Sequence, residues 1–96
     1  MHHITELYWR ADRVEHIARH NVTPEEFEEA LFDDEQGLLS GGEVARRDPQ
    51  EALYRYLGRT RAGRYLFLVV IYMGEGVADP VSARDMTRTE RRRYSR

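Results

Sequence analysis

An unbroken apolar run at residues 65–73, YLFLVVIYM, constrains the fold of this chain more than any other feature of its sequence. The run is rich in aromatic and β-branched residues, and it lacks the polar alternation of a strand with one face in water. It has only about half the roughly 20 residues that a membrane-spanning helix requires. With Arg64 before it, the run therefore predicts a central β-strand that is covered on both faces.

The chain has 96 residues, which predicts a single domain over residues 1–96, because two separate cores would each have too little apolar surface. It contains no cysteine, which excludes disulfides and thiolate metal sites. No apolar segment is long enough to span a membrane, and a cytoplasmic location is predicted.

Two helices are predicted before the apolar run. In the first, ADRVEHIARHNV, apolar residues recur at helical spacing up to Asn21, a residue that tolerates a left-handed cap. The second begins with Thr23 as a hydroxyl cap, Pro24 at the first helical position and Glu26 three residues after the cap. It is predicted to end at Asp33-Asp34.

The remaining segments predict strands, turns and a last helix. Residues 4–9 favour a short strand, and residues 36–50 favour a short strand or turn followed by an exposed loop. Residues 52–60 and 64–73 predict a hairpin around Gly63, and residues 77–83 a further strand in which Pro80 marks an edge or a bulge. Thr87 and Glu90 form a capping box that opens a short C-terminal helix. The sequence thus predicts an α+β fold, with two N-terminal helices packed on an antiparallel sheet of three to four strands and a short C-terminal helix.

Charge divides the chain into two halves. All fifteen basic residues other than histidine are arginine, and the net charge is −2 with histidine neutral. Residues 1–45 carry a balance of −8, and residues 46–96 carry +6. This division indicates either a half that faces a polyanion or charges that folding interleaves into neutral pairs.

A set of short motifs follows in a characteristic order: Trp9, Arg19-His20, Val22, PEEFEEALFDD, Leu57-Gly58-Arg59, Gly63-Arg64, Ser82-Ala83-Arg84, Glu90-Arg91 and Tyr94. In this order and spacing the chain resembles the BrnT family of bacterial toxins, from which it departs at Arg10, His16 and Arg19 and in a longer loop at residues 41–50. The resemblance implies a RelE-like fold and a ribonuclease of a type II toxin–antitoxin system, inhibited by a cognate antitoxin of ribbon-helix-helix type.

The resemblance also implies a site. A metal-independent ribonuclease lets the 2′-hydroxyl of RNA attack the adjacent phosphate, so it requires proton-transfer groups and cations for the charge on phosphate oxygens. The implied catalytic residues are His20, Arg59, Arg64, Arg84 and Glu90. The implied RNA-binding residues are Arg19, Arg88, Arg91 and Tyr94, and Tyr94 is a further proton-transfer candidate.

Each of these residues also has a structural interpretation. His20 can cap carbonyl groups at the end of its helix, and Glu90 is the third residue of a capping box. The arginines of the C-terminal run favour either a solvated helix face or an antitoxin-binding surface. Asp12, His16 and His20 stand at zinc-ligand spacing, but no further ligand lies at a diagnostic distance, so no metal or cofactor is predicted. Tyrosines on the predicted strands either stack RNA bases or pack half-buried, and they are Tyr54, Tyr56, Tyr65 and Tyr72.

Three classes of function remain open from the sequence. The first is a ribonuclease toxin with RNA and an antitoxin as partners. The second is an RNA-binding module without catalysis. The third is a protein-interaction domain whose acidic segment, EEFEEALFDDE, binds a basic partner.

Overall fold

The computed structural model describes residues 4–45 and 48–95, and within them the chain has the predicted α+β class. The strands are β1 (Glu6–Leu7), β2 (Leu38–Ala45), β3 (Asp48–Arg59), β4 (Tyr65–Gly74) and β5 (Val77–Asp85). The helices are α1 (Ala11–Ala18), α2 (Pro24–Glu28) and α3 (Arg88–Tyr94), and one π-helical turn, Glu29–Asp33, continues α2. No helix in these ranges is long and apolar enough to cross a membrane.

The strands form one sheet in the order β1-β5-β4-β3-β2. Neighbouring strands are antiparallel except for β1, which pairs in parallel with β5 through Glu6 and Leu7. The sheet is therefore mixed and has five strands, where the sequence predicted an antiparallel sheet of three to four. The parallel pair that was not predicted is the short one between β1 and β5.

Strand β4 is the central strand, as its apolar run predicted. Leu66, Leu68 and Val70 are completely buried on one face, in a cluster that includes Ile17 of α1 and Phe27 of α2. The other face is only half-buried along β4. There a second cluster joins Leu57, Met86 and Tyr94, with Tyr65 and Phe67 packed against it. The covering of β4 is thus complete on one face and partial on the other.

Local signals in the sequence are confirmed at the helix and strand ends. Both capping boxes form, Thr23 with Glu26 and Thr87 with Glu90. Asn21 has φ 59°, in the left-handed region that its position after α1 predicted. Gly63 has φ 96° in the turn between β3 and β4, where a β-carbon would strain the backbone.

A bulge accommodates the proline of β5. Val70 pairs with Pro80 and Val69 pairs with Ser82, so one residue of β5 lies between them without a counterpart. A bulge is one of the two positions that the missing amide hydrogen of proline predicted.

The segment before β3 differs from its prediction. Residues 38–45 form strand β2 along β3, with Leu38 opposite Leu57, and β3 begins already at Asp48. The short strand predicted in this segment is therefore confirmed, but it continues through residues 41–45, and residues 48–50 belong to β3, where a loop was predicted. Residues 46–47 lie outside the described ranges. Pairing with a neighbouring strand outweighs the low strand propensity of a glycine-rich segment.

Candidate functional site

Most of the predicted site residues meet at one end of the sheet, which we call the hairpin end. Here β3 ends with Arg59 opposite Tyr65, the first residue of β4. Strand β5 ends beside them, with Arg84 opposite Phe67. Helix α3 follows two residues after β5, so Glu90 and the C-terminal arginines lie at this same end.

Arg84 and Glu90 form a bidentate ion pair. The Arg84 Nη1 and Nη2 atoms donate to the two carboxylate oxygens of Glu90 at 2.8 and 2.9 Å, and the guanidinium carbon lies 4.0 Å from the centre of the Phe67 ring. The hydrogen bonds from Arg84 hold the pKa of Glu90 below its ordinary value, and those to Glu90 raise the pKa of Arg84. Glu90 is therefore an ionised acceptor at neutral pH and has no proton to donate.

The guanidinium of Arg64 is surrounded by acceptors from three parts of the chain. Its Nε donates to Asp85 at 2.8 Å, and its Nη1 donates to Glu26 at 3.2 Å and to the carbonyl of Asn21. Its Nη2 donates to the carbonyl of His20 at 3.0 Å. The hydrogen bond with Asp85 is the main cause that raises the pKa of Arg64. Arg64 thus joins the start of β4, the end of β5 and the junction between α1 and α2.

His20 is exposed in the turn that follows α1, outside the helix in which it was predicted, and its carbonyl group accepts a hydrogen bond from Arg64 at the hairpin end. Its ring centre is 6.4 Å from that of His16 in an edge-to-face arrangement. Arg19, the neighbouring RNA-binding candidate, is also exposed. Among the described residues, no group of three or more His, Asp or Glu side chains is arranged to hold a metal ion.

Asp34 is a central acceptor that the sequence did not identify as a site residue. Its carboxylate accepts hydrogen bonds from the Tyr94 hydroxyl at 2.6 Å, the Arg59 amide at 2.8 Å and the Gln36 amide at 3.1 Å. The sequence predicted only that a helix ends here. Tyr94 and Arg59 stand 60 and 25 positions away from Asp34 in the sequence, and no pattern of neighbouring residues predicts contacts at such separations.

Tyr94 is buried, and its hydroxyl is engaged with Asp34. Burial is the largest cause that raises its pKa, followed by the hydrogen bond to Asp34. The ring packs edge-to-face against Tyr65, with the two ring centres 5.7 Å apart. The residue predicted to bind RNA therefore anchors α3 to the sheet.

The ring of Tyr65 contacts two guanidinium groups. The guanidinium carbon of Arg91 lies 4.1 Å from the ring centre, and that of Arg59 lies 5.4 Å from it. Within the ranges that the structure describes, neither arginine forms an ion pair with a carboxylate. These two cations therefore retain side-chain donors for a ligand.

The other strand tyrosines serve the fold. Tyr54 and Tyr56 pack against the core on the side of α1 and α2. The hydroxyl of Tyr72 accepts a hydrogen bond from the Gly76 amide in the turn before β5. Tyr65, from the same predicted set, lies beside Arg59 and Arg91.

Ion pairs join the two halves of the chain, and Arg61 with Asp33 and Arg64 with Glu26 pair a cation of the basic half with an acid of the acidic half. Arg10 and Arg13 bind the buried Asp79 at 3.2 and 3.0 Å. Arg61 binds Asp33 beside an open acidic groove that contains Glu25, Glu28, Glu29 and Phe32. On α3, by contrast, the arginines line an open cleft, and they are Arg88, Arg91, Arg92 and Arg93. The surplus of positive charge is therefore concentrated on α3.

Compared with known protein families and with curated proteins, the sequence matches none of them.

Proposed function

We propose that this protein is a metal-independent endoribonuclease toxin of a type II toxin–antitoxin system, with a RelE-like arrangement in which the two N-terminal helices pack on the sheet. The observation that carries the proposal is the accumulation of arginine side chains at the hairpin end, where β3, β4, β5 and α3 meet. A concentration of cations on one surface is the electrostatic footprint of a protein that binds RNA phosphates. The BrnT-like order of motifs is the reason to propose cleavage of RNA in addition to binding of RNA.

The proposed reaction needs no atom from a cofactor. The 2′-hydroxyl of RNA attacks the adjacent phosphorus, the bond from phosphorus to the 5′-oxygen breaks, and a 2′,3′-cyclic phosphate and a 5′-hydroxyl result. Either His20 takes the proton of the 2′-hydroxyl and water protonates the departing 5′-oxygen, or His20 protonates the 5′-oxygen and water takes the proton of the 2′-hydroxyl. Arg84, whose Nη1 and Nη2 atoms already donate to Glu90, contributes its positive charge beside the phosphate oxygens.

Glu90 and Arg64 take supporting roles in this scheme. The bidentate pair at 2.8 and 2.9 Å orients the Arg84 guanidinium, and the ionised state of Glu90 makes it a holder of that cation. Arg64 fixes the turn after α1, where His20 lies, against the end of β5. Both residues were predicted as catalytic, and their contacts favour positioning.

Two partners belong to the proposal. RNA is the substrate, and an antitoxin of ribbon-helix-helix type is the inhibitor in the cytoplasm. Exposed arginines on α3 offer a surface that an acidic segment of an antitoxin neutralises.

The test is cleavage of an end-labelled single-stranded RNA by the purified protein in the presence of a chelator, compared with the variants His20→Ala and His16→Ala. His16 is the matched control, because it lies on α1 just before the turn that carries His20, and its ring contacts that of His20. We expect the wild type and His16→Ala to leave 2′,3′-cyclic phosphate ends, and His20→Ala to lose roughly 100-fold or more in rate.

Two results would contradict the proposal at different points. Equal cleavage by His20→Ala would remove His20 from the mechanism. A wild type that cleaves neither free RNA nor messenger RNA on ribosomes would remove the ribonuclease activity itself.

A second candidate is an RNA-binding module that does not cleave. It is favoured by the engagement of Arg64, Arg84 and Glu90 with partners inside the protein. Retardation of intact RNA in a native gel, without product on free or ribosome-bound RNA, would select this candidate.

A further inference from the structure

Arg59 and Arg91 place two guanidinium groups at one aromatic ring. Their guanidinium carbons lie 5.4 and 4.1 Å from the same Tyr65 ring, and they come from different elements, the end of β3 and the middle of α3. The electron-rich face of the ring attracts each cation only weakly. Two like charges at one ring therefore favour a bound anion between or beside them.

The arrangement leaves the right donors for an anion. A guanidinium that stacks on a ring uses its flat face, and its N–H groups point outwards in its own plane. Those in-plane groups bind two oxygens of a phosphate in parallel. In the described part of the chain neither Arg59 nor Arg91 forms an ion pair, in contrast to Arg84, which Glu90 engages.

The backbone segments that carry both arginines are held in place before any ligand arrives. The carboxylate of Asp34 accepts a hydrogen bond from the amide of Arg59 at 2.8 Å. Arg91 is on α3, which a capping box begins and Tyr94 anchors through the same carboxylate. A preorganised pair loses less conformational entropy on binding than two free side chains do.

The surroundings indicate an extended polyanion and not a single carboxylate. The cleft on α3 beside this pair is lined by Arg88, Arg92 and Arg93. Acidic residues do lie on the other side, where Asp33, Asp34 and Glu35 share a cleft with Arg59 and Tyr94. A ligand strand that carries one negative charge per nucleotide follows the basic side and avoids the acidic one.

We propose that Arg59 and Arg91, spaced by the Tyr65 ring, bind a phosphate of single-stranded RNA next to the reacting phosphate at Arg84. This subsite rests on the proposed function for its substrate class. It assigns to Arg59 a binding role together with Arg91, and it gives Tyr65 the role of a positioning residue.

The test is binding of a fluorescent single-stranded RNA in which every 2′-hydroxyl is methylated, so that it cannot be cleaved. Anisotropy titrations at several salt concentrations compare the wild type with Arg59→Ala, Arg91→Ala and Arg61→Ala. Arg61→Ala is the matched control, because it removes the same charge from the same hairpin but from an exposed pair with Asp33. We expect Arg59→Ala and Arg91→Ala each to weaken binding by roughly fivefold to tenfold and to lower the salt slope by about 0.7.

Variants at Tyr65 and Arg91 separate geometry from charge. Tyr65→Phe keeps the ring and is expected to bind like the wild type, whereas Tyr65→Leu loses the ring and weakens binding at an unchanged net charge. Arg91→Lys keeps the charge but loses the planar fork, so it is expected to bind less tightly than the wild type. Circular dichroism of each variant confirms that α3 and the sheet are intact.

Three outcomes overturn the subsite. The first is equal affinity of Arg59→Ala, Arg91→Ala and Arg61→Ala. The second is wild-type affinity of Tyr65→Leu. The third is a competition result in which an acidic peptide displaces the RNA, whereas inorganic phosphate and unlabelled RNA at the same concentration do not. That result would assign Arg59 and Arg91 to a protein partner.

The test also separates this inference from the proposed function. Dependence of binding on Arg59 and Arg91, without cleavage of unmodified RNA, keeps the subsite and removes the ribonuclease. Cleavage with unaffected binding in both variants keeps the ribonuclease and removes the subsite.

Discussion

Single residues at the hairpin end differ mainly in the partners that folding gives them. Arg84 faces one carboxylate in a bidentate pair, and Arg64 is surrounded by acceptors from several elements. Arg91 contacts an aromatic ring instead. These arginines therefore have different roles. Arg64 connects elements of the fold, Arg84 is oriented by a carboxylate, and Arg91 keeps side-chain donors for a ligand.

The hydroxyl of Tyr94 is expected to stabilise the fold. Tyr94→Phe removes its 2.6 Å hydrogen bond to Asp34, and we expect the free energy of unfolding to fall by about 1.5 kcal/mol at pH 7. The raised pKa lets folded Tyr94 keep its proton above pH 10, where the unfolded chain loses it. The contribution is therefore complete below pH 10 and declines above it, so the difference between the two proteins narrows as the pH rises.

Urea titrations at pH 7 to 11 measure this difference. The control is Tyr8→Phe, since Tyr8 is 53% exposed and its change is expected to stay within about 0.5 kcal/mol. A difference between the wild type and Tyr94→Phe that stays constant or widens above pH 10 would contradict the assignment.

At the scale of elements, short helices depend on their attachment to the sheet. Helix α3 has seven residues, fewer than an isolated helix needs to be stable in water. Met86 and Tyr94 pack it against Leu57, and its capping box satisfies amides at its start. The attachment of α3 to the sheet therefore positions Arg91, because the helix propensity of α3 alone would not keep this segment helical.

The π-helical turn after α2 is expected to tolerate no side chain at Gly58. A β-carbon on Gly58 would lie 2.3 Å from the backbone oxygen of Ala30, and a backbone atom moves aside only with its whole turn. We expect Gly58→Ala to lower the free energy of unfolding by about 3 kcal/mol through overpacking. Hydrogen exchange of the amides at residues 29–33 is expected to accelerate.

Gly74→Ala provides the contrast. Gly74 has φ 102° and no atom within 4 Å of an added β-carbon, so its cost is backbone strain of about 1–2 kcal/mol. Hydrogen exchange at residues 29–33 should stay unchanged relative to the rest of the sheet. A Gly58→Ala protein that is as stable as the wild type would show that the close approach is not a constraint.

At the scale of the whole molecule, ion pairs connect the acidic and basic halves. Arg13 binds Asp79 across the two halves, and Arg64 binds Glu26. Arg59 and the arginines of α3 lie outside these pairs. The net charge of −2 therefore coexists with one strongly basic surface.

Arg64 is expected to contribute to the stability of the fold more than to the cleavage reaction. It contacts β5, α2 and the α1–α2 junction, and its side chain is 25% exposed. Arg64→Ala leaves several acceptors without a partner, and we expect it to lower the free energy of unfolding by about 2 kcal/mol. Arg61→Ala, which breaks an exposed pair, is expected to stay within about 0.5 kcal/mol. If Arg64→Ala is as stable as the wild type but does not cleave RNA, Arg64 is a catalytic residue, as the sequence predicted.

The sequence by itself determined features that short segments encode. Both capping boxes, the left-handed Asn21, the turn at Gly63 and the central position of β4 follow from neighbouring residues or from one continuous apolar run. The bulge at Pro80 follows from a missing amide hydrogen. These features need no knowledge of distant partners, because their causes lie within a few residues.

Only the tertiary structure decided how the candidate site is assembled. It turned the predicted loop before β3 into part of strand β2, joined Arg64 to residues 38 to 44 positions away, and placed Asp34 under Tyr94 at a separation of 60. It also left Arg59 and Arg91 at one ring while pairing Arg84 with Glu90. A charged side chain finds its partner through the packing of the elements that carry it, and that packing is a property of the whole fold.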